Sequence, residues 1–286
     1  MSGGYGQAAS STFMGSRFRL FMDRSCSPWN RGGPGRPSVA TTPACAVASF
    51  CSILLLAGCQ TPHSASQSAH PLVVNFQEDF LLEEPPDVWV FRTPALWRIA
   101  IEGDRHLLQM AIPPPRPLMP GAARPQEYAI YNQYEFRSFN LSCRVRIDRE
   151  VSTRGRDACI IFGRQDNVHL YYVNLSSLSE DANNNLVRVD GRSRTVLIPR
   201  NRQPAPAIAD RAWHKVDIQR DCDRGQVKVF VDAFDPEDPP LFDATDKTYD
   251  WGYLGFGSFD DHASFAHILV EGEGRRPELA LQTDPP

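Results

Sequence analysis

Lysine is nearly missing from this 286-residue chain, which has it only at Lys215, Lys228 and Lys247. Basic residues are otherwise arginine, and they are unevenly spread. Residues 1–58 carry Arg17, Arg19, Arg24, Arg31 and Arg36 against the single acid Asp23, whereas the remainder is net acidic. A domain of that balance lacks the basic footprint that phosphate-backbone binding needs, which argues against a nucleic-acid partner. No uninterrupted apolar run reaches the ~20 residues of a spanning helix. No stretch of 12 residues shows helical periodicity, so helical bundles and coiled coils are excluded. Cys-x-x-Cys, His-Glu-x-x-His, Gly-x-Ser-x-Gly and phosphate-loop spacings are all absent. Gly and Pro together make up about 15% of the chain, below the ~25–30% of low-complexity sequence, and the 10% aromatic share is enough for a core.

What is present begins with a targeting segment. Ala44–Gly58 reads ACAVASFCSILLLAG, an uncharged run of 15 residues that follows arginines and ends in small residues, the anatomy of a secretory h-region and cleavage site. Leu56-Ala57-Gly58-Cys59 resembles the bacterial lipobox. That resemblance implies cleavage before Cys59, a lipid on its sulfur and acylation of its freed amine. Gln60 in the next position implies sorting to the outer membrane, and hence a periplasmic or cell-surface location. A plain cleaved signal with an incidental cysteine is the alternative. The leader is long, which places the translation start at Met14 or Met22. Residues 59–70, the lipidated Cys59 and QTPHSASQSAH, read as a flexible tether.

From residue 71 to 273 the pattern is that of strands. Leu141, Cys143, Val145 and Ile147 alternate with Ser142, Arg144, Arg146 and Asp148, which marks a half-buried strand. Val216 and Ile218 pair in a hairpin with Val227, Val229 and Val231 across the turn Asp221–Gly225. Leu186–Val189 and Thr195–Ile198 form another, because Asp190-Gly191 supplies the backbone a tight turn demands. Shorter β-rich runs occur at Val88–Arg92, Trp97–Ile101, His106–Ala111, Tyr128–Tyr131, Cys159–Gly163, His169–Leu175, Leu254–Phe256 and Phe265–Val270. Two proline-rich stretches, Pro113–Pro125 and Asp235–Pro240, cannot join a ladder and read as surface loops, either rims of a binding face or plain connectors. Residues 274–286 read as a frayed tail. The fold class expected is an all-β sandwich.

The blocks FNLSCRVRID (139–148), ACIIFGRQDNVHLYYVNL (158–175), VRVDGRSRTVLI (187–198), AWHKVDIQRD (212–221), QVKVFVD (226–232), ATDKTYDWGYLGFGSFDD (244–261) and FAHILVEG (265–272) resemble the concanavalin A-like lectin/glucanase jelly roll. They are most similar to laminin-G-like and 3-keto-disaccharide-hydrolase-like domains of bacterial secreted proteins. The resemblance implies two antiparallel sheets, one of them concave, with a polysaccharide or oligosaccharide as the frequent ligand of the concave face. Glycoside hydrolysis of the 3-keto-disaccharide type and laminin-G-like protein binding are the alternatives it leaves open. Retaining glucanases of this fold place Glu-x-Asp-x-(x)-Glu on a strand; the nearest string here, Glu78-Asp79-Phe80-Leu81-Leu82-Glu83, sets Glu78 and Asp79 on opposite faces and so fails the pattern. No catalytic residue is nominated.

Sugars need aromatic faces for their C–H groups and directed partners for their hydroxyls. Tyr172 and Asn174 share one strand face and are the best ligand candidates, with Arg164 and His169 nearby, and with Arg144 and Arg146 joining if strands align. The opposing reading is that the tyrosines cover a sheet and the arginines pair with acids. Trp213 and Trp251 read as core. Asp260 and Asp261, with Asp79 if the terminal strands pair, are the candidate Ca²⁺ ligands, a solvated turn being the alternative. No other cofactor is expected. Once Cys59 is lipidated, Cys143, Cys159 and Cys222 remain; Cys143 and Cys159 either bridge or are buried separately, and Cys222 is expected to be exposed in its turn.

Overall fold

A computed structural model describes residues 71–278 and 281, apart from 83–84, 86, 112–122, 181–182 and 203. The targeting segment, Cys59 and the tether lie outside the described residues, as does most of the first proline-rich stretch. Every described residue belongs to one unit, Ser64–Pro286. Fourteen strands are present among them: β1 Leu72–Glu78, β2 Trp89–Phe91, β3 Trp97–Glu102, β4 Arg105–Met110, β5 Glu127–Ile147, β6 Asp157–Arg164, β7 His169–Ser176, β8 Asn185–Asp190, β9 Ser193–Val196, β10 His214–Asp221, β11 Gln226–Val231, β12 Phe242–Thr245, β13 Gly252–Ser258 and β14 Ala263–Arg275. Two single 3₁₀ turns are the helical elements among the described residues, so none of these is a helix long and apolar enough to cross a membrane.

All pairings are antiparallel, and they divide into two layers joined by β5. The first layer runs β12-β11-β10-β5-β14, with β1 and β4 on the far side of β14 and β3 beyond β4. The second runs β2-β5-β13-β6-β7-β8-β9. β5 serves both: Glu127–Phe136 pairs with β13, and Phe139–Val145 pairs with β10. Two antiparallel layers are what the jelly-roll resemblance implied.

Alternation puts Leu141, Cys143, Val145, Val216, Ile218, Val227 and Val229 of the first layer against Ala158, Ile160, Phe162, Tyr171, Val173, Leu254 and Phe256 of the second, all in one apolar cluster. Ring contacts stitch the layers, with Phe139 edge-on to Phe162 at 6.0 Å and Phe256 against Phe265 at 4.9 Å. Arg220 is buried between the layers; its guanidinium lies over the Phe162 and Tyr171 rings and Nη2 donates to the Tyr249 carbonyl at 2.8 Å. A charge is tolerated there because it is both bonded and stacked.

Both expected hairpins are present, β8–β9 turning at Gly191 (φ 62°) and β10–β11 at Gly225 (φ 72°). At Gly225 a side chain would also strike Lys247 and Asp246, so glycine is required twice over. Two expectations are corrected. The runs at Tyr128–Tyr131 and Leu141–Ile147 belong to one strand of 21 residues. Cys222 is buried at 3% exposure, its Sγ 3.1 Å from the Arg137 carbonyl and 3.3 Å from that of Asp250, because β5 and the β12–β13 connection close over the hairpin turn. Cys143 and Cys159 are free and buried, one facing the shared core and the other the far face of the second layer. Beyond the expected sandwich limit, β14 continues to Arg275.

Phe162 meets Phe139, Tyr171 and Arg220 at the junction of the layers. Phe162→Ala is expected to lower unfolding stability by about 3–5 kcal/mol in guanidinium titration, the range for truncating a fully packed aromatic.

Candidate functional site

β6, β7 and β8 bury both faces. One enters the shared core; the other carries Asp157, Cys159 and Ile161, then Leu170, Tyr172 and Asn174, then Asn185, Val187 and Val189, in register across the three strands. β5 adds Tyr128 and Ile130, and β13 adds Tyr253. These residues make a second apolar cluster, against which Ala123 and Leu281 pack. The face that alternation marked as the ligand face is therefore enclosed: Tyr172 is 0% and Asn174 1% exposed.

Within it, Tyr172 stands edge-on to Phe259 at 5.8 Å, with the Arg194 guanidinium 5.7 Å from its ring centre. Burial pushes its phenol far above the ordinary value. The Tyr172 hydroxyl and the Asn174 carbonyl oxygen are buried without a hydrogen-bond partner. Arg164 lies over the Tyr128 ring at 5.3 Å and bonds Asn167 Oδ1, which also accepts from the Tyr128 hydroxyl at 2.9 Å. His169 opens β7 at the rim, where its Nδ1 sits 2.7 Å from Asp166. Burial opposes ionisation of Asp166, but the His169 bond and two backbone N–H groups hold its carboxyl below the usual range. The structure thus gathers Tyr172, Asn174 and Arg164 on one face with His169 at its edge.

Arg144 and Arg146 do not join them. They project from the second half of β5, on the outer face of the other layer. Alternation fixes which side of its own sheet a residue faces, but β5 changes layer between Phe136 and Phe139 and so carries both arginines away. Arg146 is committed there, paired with both oxygens of Glu102 at 2.6 and 2.7 Å, bonded to Asp148, and stacked on Trp213 at 4.6 Å with Arg105 on the same ring at 5.3 Å. Trp213 and Trp251 are half-buried platforms for arginine rather than core residues, Trp251 taking Arg275 at 4.6 Å.

The candidate cation ligands are redistributed as well. Asp79 bonds His267 Nδ1 at 2.8 Å and Gln77 at 2.6 Å, beside the middle of β14. The carboxylate that meets Asp260 and Asp261 is instead Asp157, one oxygen of each lying within 4.8 Å of the others. Sequence alternation put Asp157 at the start of a strand but did not show that the β13–β14 turn folds against it. Asp157 accepts from Ser258 Oγ at 2.6 Å and the Phe259 N–H at 3.1 Å; Asp261 accepts from the Asp157 N–H at 2.8 Å and faces Arg149 at 3.5 Å. Burial first, and neighbouring carboxylate charge next, push Asp157 up to about 7, and burial with Asp260 pushes Asp261 up to about 6. Three hard oxygens suit Ca²⁺, which takes 6–8; water would supply the remainder.

No protein-family model matches the chain, and no curated protein matches it. Among solved structures it is similar to the carbohydrate-binding module CBM66 from Bacillus subtilis, at 14% identity and TM-score 0.46 over 65% of this chain and 96% of that one. It is also similar to a lectin from Bauhinia forficata in complex with GalNAc, at 12% identity and TM-score 0.41 over 72% and 99%. A third is the VIP36 exoplasmic/lumenal domain in a Ca²⁺/Man3GlcNAc-bound form, at 11% identity and TM-score 0.42 over 69% and 90%. Likeness at this level concerns the outline of the fold and decides no ligand.

Folded Asp157 and Asp261 titrate above their unfolded value of 3.8, so between roughly pH 4 and 7 the folded state holds protons that the unfolded state has lost. Their contribution is most favourable at the acidic end and is lost as pH rises through 6 and 7. Tm is expected to carry a falling component between pH 5 and 8 that Asp157→Asn flattens. Millimolar Ca²⁺ that raises Tm at pH 8 more than at pH 5, with no such rise in Asp157→Asn, identifies a cation at the cluster; no rise at either pH leaves these carboxyls to protons alone.

Proposed function

We propose that this chain is a bacterial lipoprotein, held to the outer membrane through Cys59, whose sandwich binds carbohydrate. The observation that carries the binding reading is the pair of partnerless polar atoms on β7, the Tyr172 hydroxyl and the Asn174 carbonyl oxygen, flanked by the Tyr128, Tyr253 and Phe259 rings. Leaving such a group buried and unmade costs about 1–3 kcal/mol, and a core serving packing alone would have used phenylalanine and an aliphatic residue. A sugar supplies what the pair needs, hydroxyls for the polar atoms and C–H faces for the rings. Ala123 and Leu281 pack on this cluster and would give way to the ligand.

The anchor rests on the lipobox-like sequence before Cys59. Each buried methylene contributes about 0.8 kcal/mol, so a diacylglycerol plus a further acyl chain holds a protein to a bilayer stably. A second reading, glycoside hydrolysis, draws on one observation: Asp157 shares the face of Tyr172 and Asn174, and its carboxyl is pushed up to about 7, in the range of a catalytic acid. Its oxygen is bonded to Ser258 and the Phe259 N–H in the β13–β14 turn, which favours binding over catalysis.

Tyr172→Phe separates stability from function. Removing a hydroxyl that has no partner is expected to leave stability unchanged or raise it by about 1 kcal/mol, while affinity for the bound glycan falls by tenfold or more in calorimetric titration. A glycan array of the wild-type protein selects the sugar; a blank array, or unchanged affinity in the variant, removes the reading. Cys59→Ala is expected to abolish incorporation of a labelled fatty acid and to move the protein from the membrane to the soluble fraction.

A further inference from the structure

The outer face of the first layer carries an open groove of about 360 Å³, on the side of the sandwich away from Tyr172. Its floor is set by strand register. One rung places Phe230, Asp217, Ser142 and Leu269 side by side on β11, β10, β5 and β14; the next places Lys228, Gln219, Asn140 and Glu271. Adjacent strands lie about 4.8 Å apart, so each rung offers a new side chain at a spacing comparable with one sugar unit of an extended glycan. Among the described residues, the side chains of Asn140, Ser142, Gln219 and Glu271 make no hydrogen bond within the protein, which leaves amide, hydroxyl and carboxylate groups uncommitted at the groove.

The wall is built with more care than a connector needs. At the end of β11, Asp232 adopts φ 52°, and its carboxylate accepts the Lys215 N–H at 2.8 Å and meets His214 Nδ1 at 2.6 Å, so the chain is turned back beside the sheet. Asp238 then accepts the N–H groups of Phe234 and Asp235 at 2.9 and 3.0 Å, and Asp235 accepts that of Glu237 at 2.9 Å. Pro236, Pro239 and Pro240 stiffen the connection to β12. The result is a fixed backbone presenting the Phe234 ring, 79% exposed, at the groove edge, with Leu269, 40% exposed, among the lining residues. Exposed aromatic area on a pre-organised loop lowers the ordering cost of a contact.

Charge narrows the ligand. Lys215 is neutralised by Asp217 at 2.6 Å, and Asp235 and Glu271 leave the lining net negative, so polyanions are repelled. We propose that this groove is a binding site for a neutral polysaccharide strand, stacked on Phe234 and hydrogen-bonded to Asn140, Ser142 and Gln219. It is separate from the Tyr172 face and rests on none of the residues there.

The test is affinity electrophoresis of the full-length protein in gels containing soluble β-glucan, mannan, arabinan or levan, with alginate as the anionic control. Retardation by at least one neutral polymer is expected, with Phe234→Ala and the double variant Asn140→Ala/Gln219→Ala each weakening it tenfold or more. Phe234 is exposed, so its variant should keep the wild-type Tm; if it does not, the double variant carries the test. No retardation by any neutral polymer, retention unchanged in these variants, or Phe234-dependent binding of alginate overturns the proposal. Loss in Tyr172→Phe with no change in Phe234→Ala overturns the groove while sparing the Tyr172 face; the reverse pattern spares the groove alone.

Discussion

The sandwich depends on one strand serving two sheets. β5 pairs with β13 along its first half and with β10 along its second, so neither layer has a complete ladder without it. A strand can do this only where it bends out of one sheet and into the other, and here the crossing is packed with rings: Tyr131, Phe136, Phe139 and Phe162 succeed one another at 6.4, 6.3 and 6.0 Å. Non-directional aromatic packing tolerates the change of ladder that backbone hydrogen bonds alone would not. The consequence reaches the surface. Outward residues of the first half, Tyr128 and Ile130, belong to the enclosed face, and those of the second half, Asn140 and Ser142, to the open groove.

The two faces differ in physical state. Beneath Ala123 and Leu281 the second layer has polar atoms enclosed with rings, where low dielectric makes each unmade hydrogen bond costly and any made one strong. The first layer presents solvated groups beside a braced, exposed phenylalanine, where a polar contact contributes little and aromatic area contributes more. The acidic cluster lies between these extremes, at the end of the second layer, where the buried Asp157 shares charge with Asp260 and Asp261 and Arg149 offsets part of it.

Much of the fold was legible because alternation is a local signal. Val216 to Val231 and Leu186 to Ile198 announced their hairpins, with Gly191 and Gly225 at the turns, and Tyr171 and Val173 were assigned to the core by parity alone. β1 and β12 were not read. The first has Val73 88% exposed at the outer edge of its layer, which breaks the alternation, and the second is only four residues long. Of the site, parity joined Tyr172 to Asn174, but it had no means of showing that this face would be covered.

What the sequence determined by itself was everything with a period of two or a fixed turn chemistry: strand identity, hairpin register, which residues share a face, and the all-β class. Tertiary structure alone decided which faces meet. It sent Arg144 and Arg146 to the layer opposite Tyr172, replaced Asp79 by Asp157 beside Asp260 and Asp261, buried Cys222 in its turn, and set Phe234 against the groove. The physical reason is common to all four. Each depends on contacts between segments tens of residues apart, formed by layers closing over a shared core, and local alternation carries no record of which segment arrives.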